Sequence, residues 1–352
     1  MNLRLHYLFV VCAFLFVSCH KKDDEPGIHI PEDFPESYSF YEGKCDDYSL
    51  FSKSTKTISV YNTFDCLMAN HLEYISKHYL GKSSDGQDLY YYEFGCDNTK
   101  DRTKVFIICA QHGFEKNSTF GTFYFLKDVA ENNGADPFLK YLHDYLHLIV
   151  VPVTNPSGFD DFIYKNSNGV NLNRNWPVDG WQCIPDKSGS DYSGVAPLDQ
   201  PETSLVNGLV ERNLDARLFI DFHTYGKGVL ESAEQINWIS LPYFDNKTAR
   251  KRLQSLSKEH LENISAYFKS IYGRERPFLK DTPQLGYISK ASEYGQTGFC
   301  GTSMSQRGIM ALTFEGFNGF PGDSKPFLPD VAKANSELLG NFLYKSCYLF
   351  FQ

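Results

Sequence analysis

The run Lys104 to Glu115, KVFIICAQHGFE, constrains the fold of this 352-residue chain more than any other stretch. Val105 to Ala110 is an unbroken apolar series of the Val, Ile and Phe type, without the alternation of a half-exposed strand. A strand of that kind has both faces covered, as in sheets flanked by helices. The apolar run stops at Gln111, Gly113 permits a sharp turn, and His112 and Glu115 stand across it with two residues between them. One short turn can therefore aim an imidazole and a carboxylate at a single point. That pair suits a zinc ion, whose catalytic sites use three protein ligands and keep a fourth position for water. Alone, His-x-x-Glu is a weak signal, more often a structural histidine beside an acid than a metal site. The rest of the chain has to supply a third ligand and a base.

Taken in order, the chain alternates strand and helix signals. Residues Asn70 to Tyr79 predict a helix with Leu72, Ile75 and Tyr79 on one face, and Asp85-Gly86 predicts a hairpin ending near Gly95. Phe120 to Glu131 predicts an amphipathic helix, and Tyr145 to Val153 a second buried strand that runs into the turn Asn155-Pro156-Ser157-Gly158. Pro201 to Asn213 has a helix start, with Pro followed by Glu202 and Thr203. Arg217 to His223 is a third buried strand, Ile309 to Phe314 a fourth with Glu315 at its end, and Asp330 to Tyr344 a closing helix. The segment from Tyr243 to Tyr272 is charged and helical in pattern. The fold class that follows is α/β, a mixed, mostly parallel central sheet with helices on both faces. His112, Asn155, His223 and Glu315 all follow strands, where open α/β sheets place their sites.

Arg4, the apolar run Leu5 to Val17 and the sequence Phe16-Val17-Ser18-Cys19 resemble a bacterial lipoprotein signal, with Cys19 as the residue that receives lipid. The following His20-Lys21-Lys22-Asp23-Asp24-Glu25 is similar to surface-export tethers of Bacteroidetes-type bacteria. These features divide the chain into a signal over 1–18, a tether over 19–40 and a catalytic domain over 41–350. They imply an exported protein, lipid-anchored to the cell envelope, that meets the membrane only through its N-terminal anchor. A net charge of −9, with no basic block, argues against a nucleic-acid surface. Once Cys12 and Cys19 leave with signal and lipid, seven of the nine cysteines remain, so at least one thiol stays free.

Five motifs stand in order: His-Gly-Phe-Glu at His112, Asn-Pro-Ser-Gly at Asn155, Asn-Leu-Asn-Arg-Asn-Trp at Asn171, Asp-Phe-His-Thr-Tyr at Asp221 and Thr-Phe-Glu-Gly at Thr313. This order resembles the zinc metallocarboxypeptidases of the carboxypeptidase A-like family, over roughly Asn70 to Tyr344. The resemblance implies one zinc ion held by His112, Glu115 and His223. It implies Glu315 as the base that assists attack of zinc-bound water, and Asn173 and Arg174 as the grip on a peptide's terminal carboxylate. A guanidinium fork holds a carboxylate at two points, which registers the last peptide bond over the metal.

Three departures from the family pattern stand out. Asn171 occupies a position where the family usually has an Asp that supports a zinc-binding His. The oxyanion-stabilising Arg is missing; Tyr164 and Lys165 fill that neighbourhood, with Lys165 as the substitute. The family's mobile Tyr falls nearest Tyr294, with Tyr287 behind it. Ser303 is placed near the side-chain pocket. Two rival readings remain beside a peptide carboxypeptidase: a zinc amidase acting on peptidoglycan stem peptides, and a catalytically degenerate binding lipoprotein.

Overall fold

The computed structural model describes residues 52–96, 101–131, 136–225, 298–317 and 329–350, with 263, 266, 269 and 270. The predicted signal, the tether, Cys19, Tyr287, Tyr294 and nearly all of the 243–272 segment lie outside the described residues. Among the described residues, no helix is long and apolar enough to cross a membrane.

The first element is a helix, α1, over Thr57–Asn70. It buries Val60, Tyr61, Phe64 and Leu67, which recur at helical spacing on one face. Strands β1 (Ile75–Lys82) and β2 (Asp88–Phe94) follow as an antiparallel hairpin. The helix expected over Asn70 to Tyr79 is therefore corrected: α1 ends where it was to begin, and the segment is an edge strand. Leu72, Ile75 and Tyr79 do recur at helical spacing, but pairing with β2 overrides that weak local preference. The Asp85-Gly86 turn stands as expected, with Gly86 in the left-handed region at φ 83°.

The buried strand is β3, Thr103–Cys109, and it leads into α2, Lys116–Glu131. Helix α3 (Pro137–Tyr145) opens on Asp136, whose side chain accepts from the backbone N–H groups of Phe138 and Leu139. Next come β4 (Leu146–Val151) and a short helix, α4 (Pro156–Asp161), capped by Asn155. Helix α5 covers Pro201–Glu211 and β5 covers Leu218–Tyr225. A short helix α6 (Cys300–Gln306), strand β6 (Met310–Phe317) and the long helix α7 (Pro329–Phe350) complete the described chain.

The six described strands form one sheet in the order β1-β2-β4-β3-β5-β6. The hairpin and the β2–β4 pair are antiparallel, whereas β4–β3, β3–β5 and β5–β6 are parallel. The mixed, mostly parallel sheet expected from the sequence is thus the one observed.

Alternation along the strands divides the core in two. Val105, Ile107, Leu218, Ile220, Phe222, Leu312 and Phe314 pack with residues of α1, α2, α3 and α7. Phe106, Ile108, Ile149, Phe219 and Ala311 pack on the other face with α5, α6 and Trp176. Asp221, His223, Thr313 and Glu315 have the parity of this second face. They lie where its apolar layer gives way to polar side chains.

Two glycines allow close approaches that fix the layers. At Gly121 in α2, a methyl group would run into the Cβ of Asn335 in α7. At Gly113, in the turn after β3, a methyl group would meet the backbone of Gly158 and Phe159 in α4. Gly113→Ala should therefore destabilise the fold by about 3 kcal/mol, the upper part of the overpacking range, because backbone rather than a flexible side chain must yield. Chemical denaturation of the variant against wild type checks this.

Candidate metal centre

Strand β3 ends on a strained residue. Ala110 has φ 54°, in the left-handed region that L side chains rarely adopt, and its N–H donates to Ser118 Oγ. This kink turns the chain so that His112 leaves the sheet direction. The Glu115 N–H then donates to the His112 carbonyl, closing the turn predicted from the sequence. His112, Glu115 and His223 are all buried, and their candidate ligand atoms lie within 4.8 Å of one another.

The orientation of the rings fits a metal. His112 Nδ1 lies 2.9 Å from Glu115 Oε1, and His223 Nδ1 lies 2.8 Å from Glu115 Oε2. Both imidazoles thus turn Nδ1 toward one carboxylate and Nε2 outward. The Nε2 of His112 faces Asn171 Oδ1 at 3.2 Å, and the Nε2 of His223 faces Asp221 Oδ1 at 2.9 Å. An outward N–H bonded to an acceptor leaves the inward nitrogen with a lone pair, as a zinc-ligating histidine requires. The Thr224 N–H also donates to Glu115 Oε2, fixing the carboxylate against β5.

The electrostatics differ between the two histidines. Burial lowers the His112 pKa, and the nearby Glu115 carboxylate only partly opposes it. Burial also works against the charged form of His223, yet the carboxylates of Asp221 and then Glu115 outweigh it and raise its pKa well above the usual value. Glu115 is pulled down to about 2: burial alone would raise it, but the two imidazoles dominate. The carboxylate is therefore ionised, as a zinc ligand must be.

Glu315 is the direct register partner of His223 in the parallel β5–β6 pair. Paired residues on neighbouring strands project to the same side about 4.8 Å apart, so Glu315 belongs beside His223. The segment after α4 supplies the next shell. Tyr164 stacks on His112 with ring centroids 3.9 Å apart, and Asn171 Nδ2 donates to its hydroxyl. Lys165, expected as the oxyanion substitute, does not join this cluster. Its ammonium donates to the Lys187 carbonyl on the exposed side. Tyr164 is the member of the pair that reaches the centre, and burial raises its pKa, keeping the phenol protonated.

Asn173 and Arg174 sit on a single 3-10 turn, Leu172–Arg174, which Asn171 caps. Asn173 Oδ1 accepts from the Cys300 N–H, and its Nδ2 lies 3.2 Å from His223 Nε2. Arg174 lies over the Phe299 ring at 3.9 Å, and its Nη2 contacts Asp191 Oδ1 at 2.9 Å. Its guanidinium is thus held flat and partly buried next to the metal cluster. Ser303 is buried in α6, with Arg307 Nη2 at 3.4 Å from its Oγ. Cys109 is a core residue beside Thr122, and burial pushes its thiol up to about 12. The described cysteines Cys66, Cys96, Cys109, Cys183 and Cys300 are all free thiols.

In the sequence Asp221 stands only as the first residue of Asp-Phe-His-Thr-Tyr, yet in the fold it is fully buried and bonds directly to a candidate ligand. Its sequence signal is an acid inside an otherwise apolar strand, two residues before a histidine and therefore on the same face.

Comparison with known proteins agrees with this geometry. The carboxypeptidase B2 of Mus musculus is 24% identical over 226 residues, covering 59% of this chain and 51% of the relative. The carboxypeptidase A1 of Sus scrofa is 25% identical over 207 residues, covering 54% and 49%. The chain spans about half the length of the curated relatives it matches. In three dimensions it resembles thrombin activatable fibrinolysis inhibitor, with a TM-score of 0.67 at 18% identity over 88% of this chain and 78% of that one. It also resembles the carboxypeptidase A of Helicoverpa armigera, with a TM-score of 0.64 at 16% identity over 85% and 74%. These solved structures share the fold. A family model, Peptidase_M14: Zinc carboxypeptidase, matches residues 60–315, which spans β1 to Glu315 and every residue of the metal cluster, and the chain belongs to that family.

Proposed function

We propose that this protein is a zinc-dependent carboxypeptidase that removes C-terminal residues from peptides, with one zinc ion held by His112, Glu115 and His223. The observation that carries the reading is the buried triad itself, with Glu315 in register with His223 and Arg174 close enough to His112 to act on it electrostatically. When bound, zinc supplies a Lewis acid and brings the pKa of a coordinated water toward about 7.

The chain's own residues do the rest. Arg174 and Asn173 receive the substrate's terminal carboxylate, and the planar fork fixes both its oxygens. Asp191 and the Phe299 face hold the guanidinium before substrate arrives, which lowers the ordering cost of binding. Glu315 accepts a proton from water during attack on the carbonyl carbon, then passes it to the leaving amine nitrogen. Tyr164 covers the outer face of the His112 ring and limits access of bulk water to it. Tyr294 remains the candidate for a mobile phenol that covers the substrate.

The lipid anchor belongs to the same proposal. The apolar run before Cys19 and the charged tether after it support export and attachment to the cell envelope, with peptide substrates met outside the cytoplasm.

Three outcomes check this reading. The Glu315→Gln variant should bind zinc as wild type does while kcat/KM for release of C-terminal residues falls about a hundredfold or more. Chelator should abolish that release and zinc restore it; turnover that persists in the presence of chelator would refute the assignment. In Arg174→Ala, KM should rise about tenfold to a hundredfold, the worth of charge-assisted hydrogen bonds of roughly 1.5–3 kcal/mol. Peptides with an amidated C-terminus, already poor substrates for wild type, should be little affected. For the anchor, Cys19→Ala expressed in a lipidating bacterial host should lose incorporation of labelled fatty acid, and the protein should move to the soluble fraction.

A further inference from the structure

We propose that Asp221 is the positioning residue of the metal centre. Through His223 it supplies the charged outer support for zinc that Asn171 cannot give through His112. The proposal rests on the zinc reading above and adds to it a residue with no assigned role.

Asp221 and His223 are two apart on β5, so both point to the same face. Asp221 is fully buried. Its Oδ1 accepts from His223 Nε2 at 2.9 Å and from Gln111 Nε2 at 2.6 Å. Gln111 is itself held, since its Oε1 accepts from Trp176 Nε1 and its carbonyl from Asn155 Nδ2. These two bonds hold Oδ1, and Oδ1 in turn holds the ring. The other group near His223 Nε2 is the Asn173 amide nitrogen, a donor that cannot accept that proton. The Nε2 proton is thus directed to Asp221, and Nδ1 is left to bind metal.

His112 has a different partner. Its Nε2 faces the neutral Oδ1 of Asn171 at the longer distance of 3.2 Å. That same oxygen accepts from the Asn173 N–H, while Asn171 Nδ2 donates to Tyr164 Oη and to the Ser190 carbonyl. The amide is fully committed and brings no charge. Charge balance gives the arrangement its meaning. Glu115 and Asp221 are two buried carboxylates, and together they neutralise one divalent cation. A buried carboxylate is costly unless compensated. Asp221 meets that cost with two N–H donors, from His223 and from Gln111.

The test is zinc affinity, measured on folded, metal-free protein by competition with a fluorescent chelator. Wild type, Asp221→Asn, Asn171→Asp and the double variant are compared, and the visible spectrum of the cobalt-loaded form is recorded for each. In Asp221→Asn, zinc affinity should fall by about 10–100-fold and the cobalt bands should shift. The metal-free form should also lose thermal stability, because the buried His223 loses a carboxylate partner, so zinc affinity and the cobalt spectrum are the deciding readouts. A purely structural Asp221 lowers the metal-free midpoint and leaves zinc affinity and spectrum unchanged. In the double variant, Asn171→Asp should recover at least about tenfold of the loss.

Asn171→Asp alone keeps Asp221 and should alter affinity by less than about threefold. A tenfold gain there would place the unmet electrostatic need at His112 and overturn the assignment, even if Asp221→Asn failed to fold. Wild type that binds no zinc defeats the parent reading and this assignment together. Normal binding by wild type and by Asp221→Asn alike defeats the assignment alone.

Discussion

The parallel pairing of β5 with β3 on one side and β6 on the other sets Cys109 beside Phe222 and His223 beside Glu315. The site depends on that register. A slip of one residue would send His223 to the α2–α7 face and bring Phe222 or Thr224 to the metal cluster. The register is held by burial on both faces: Phe222 and Phe314 meet edge to face in one layer, and Phe106 stacks on Phe219 in the other. Aromatic packing in the core thus decides the placement of the ligand and the base, which lie one residue further along each strand.

The kink at Ala110 supplies the other half of the site. Strands β5 and β6 present their residues from regular backbone, but His112 and Glu115 come from a turn that has to leave the sheet at once. The left-handed φ at Ala110 and the contact of Gly113 with α4 are the local consequences. Strain of this kind, of order 1–3 kcal/mol, persists only where the surroundings over-determine it. Here they do: the Thr154 N–H donates to the Cys109 carbonyl, Ser118 Oγ accepts from the Ala110 N–H, and Asn155 Nδ2 donates to the Gln111 carbonyl.

Much of this was legible in the sequence because covered parallel strands announce themselves as apolar runs, and β3, β4, β5 and β6 all do. The edge of the sheet was harder. Strand β1 has one face toward solvent and buries Ile75 alone, so its few apolar residues fell at helical spacing by chance. The hairpin at Asp85-Gly86 already demanded a strand before it, and that nonlocal demand prevails. Helix α1 carried a readable pattern in Val60, Tyr61, Phe64 and Leu67, whereas α6 is too short and too rich in small polar residues to show any period. At the site, the clustering of His112, Glu115 and His223 and the place of Glu315 beside them were legible because motif order is a one-dimensional property. The partners beyond them were not. Which of Tyr164 and Lys165 reaches the candidate centre depends on the course of the bend they share, and Asp221 reads as an anomaly in a strand until its distance to His223 is known.

The loop segments around the metal are built largely from neutral amides. Asn155 accepts from the Gly158 N–H, and Asn171 caps the turn that presents Arg174. Asn175 Nδ2 donates to the carbonyls of Ser193 and Ala196 and to Asp199, while its Oδ1 accepts from Thr203 Oγ1. An amide both donates and accepts, so it can hold irregular backbone from within without adding net charge. That matters beside a divalent ion, where each extra carboxylate would shift the affinity and the acidity of bound water. Asn171 belongs to this neutral scaffold, and its lack of charge is consistent with its neighbours. The charged groups around the candidate centre are then few, each with a distinct place: Glu115 within the cluster, Asp221 behind His223, Glu315 in register beside it and Arg174 over Phe299. A carboxylate removed from this set leaves a deficit that the surrounding amides cannot make good.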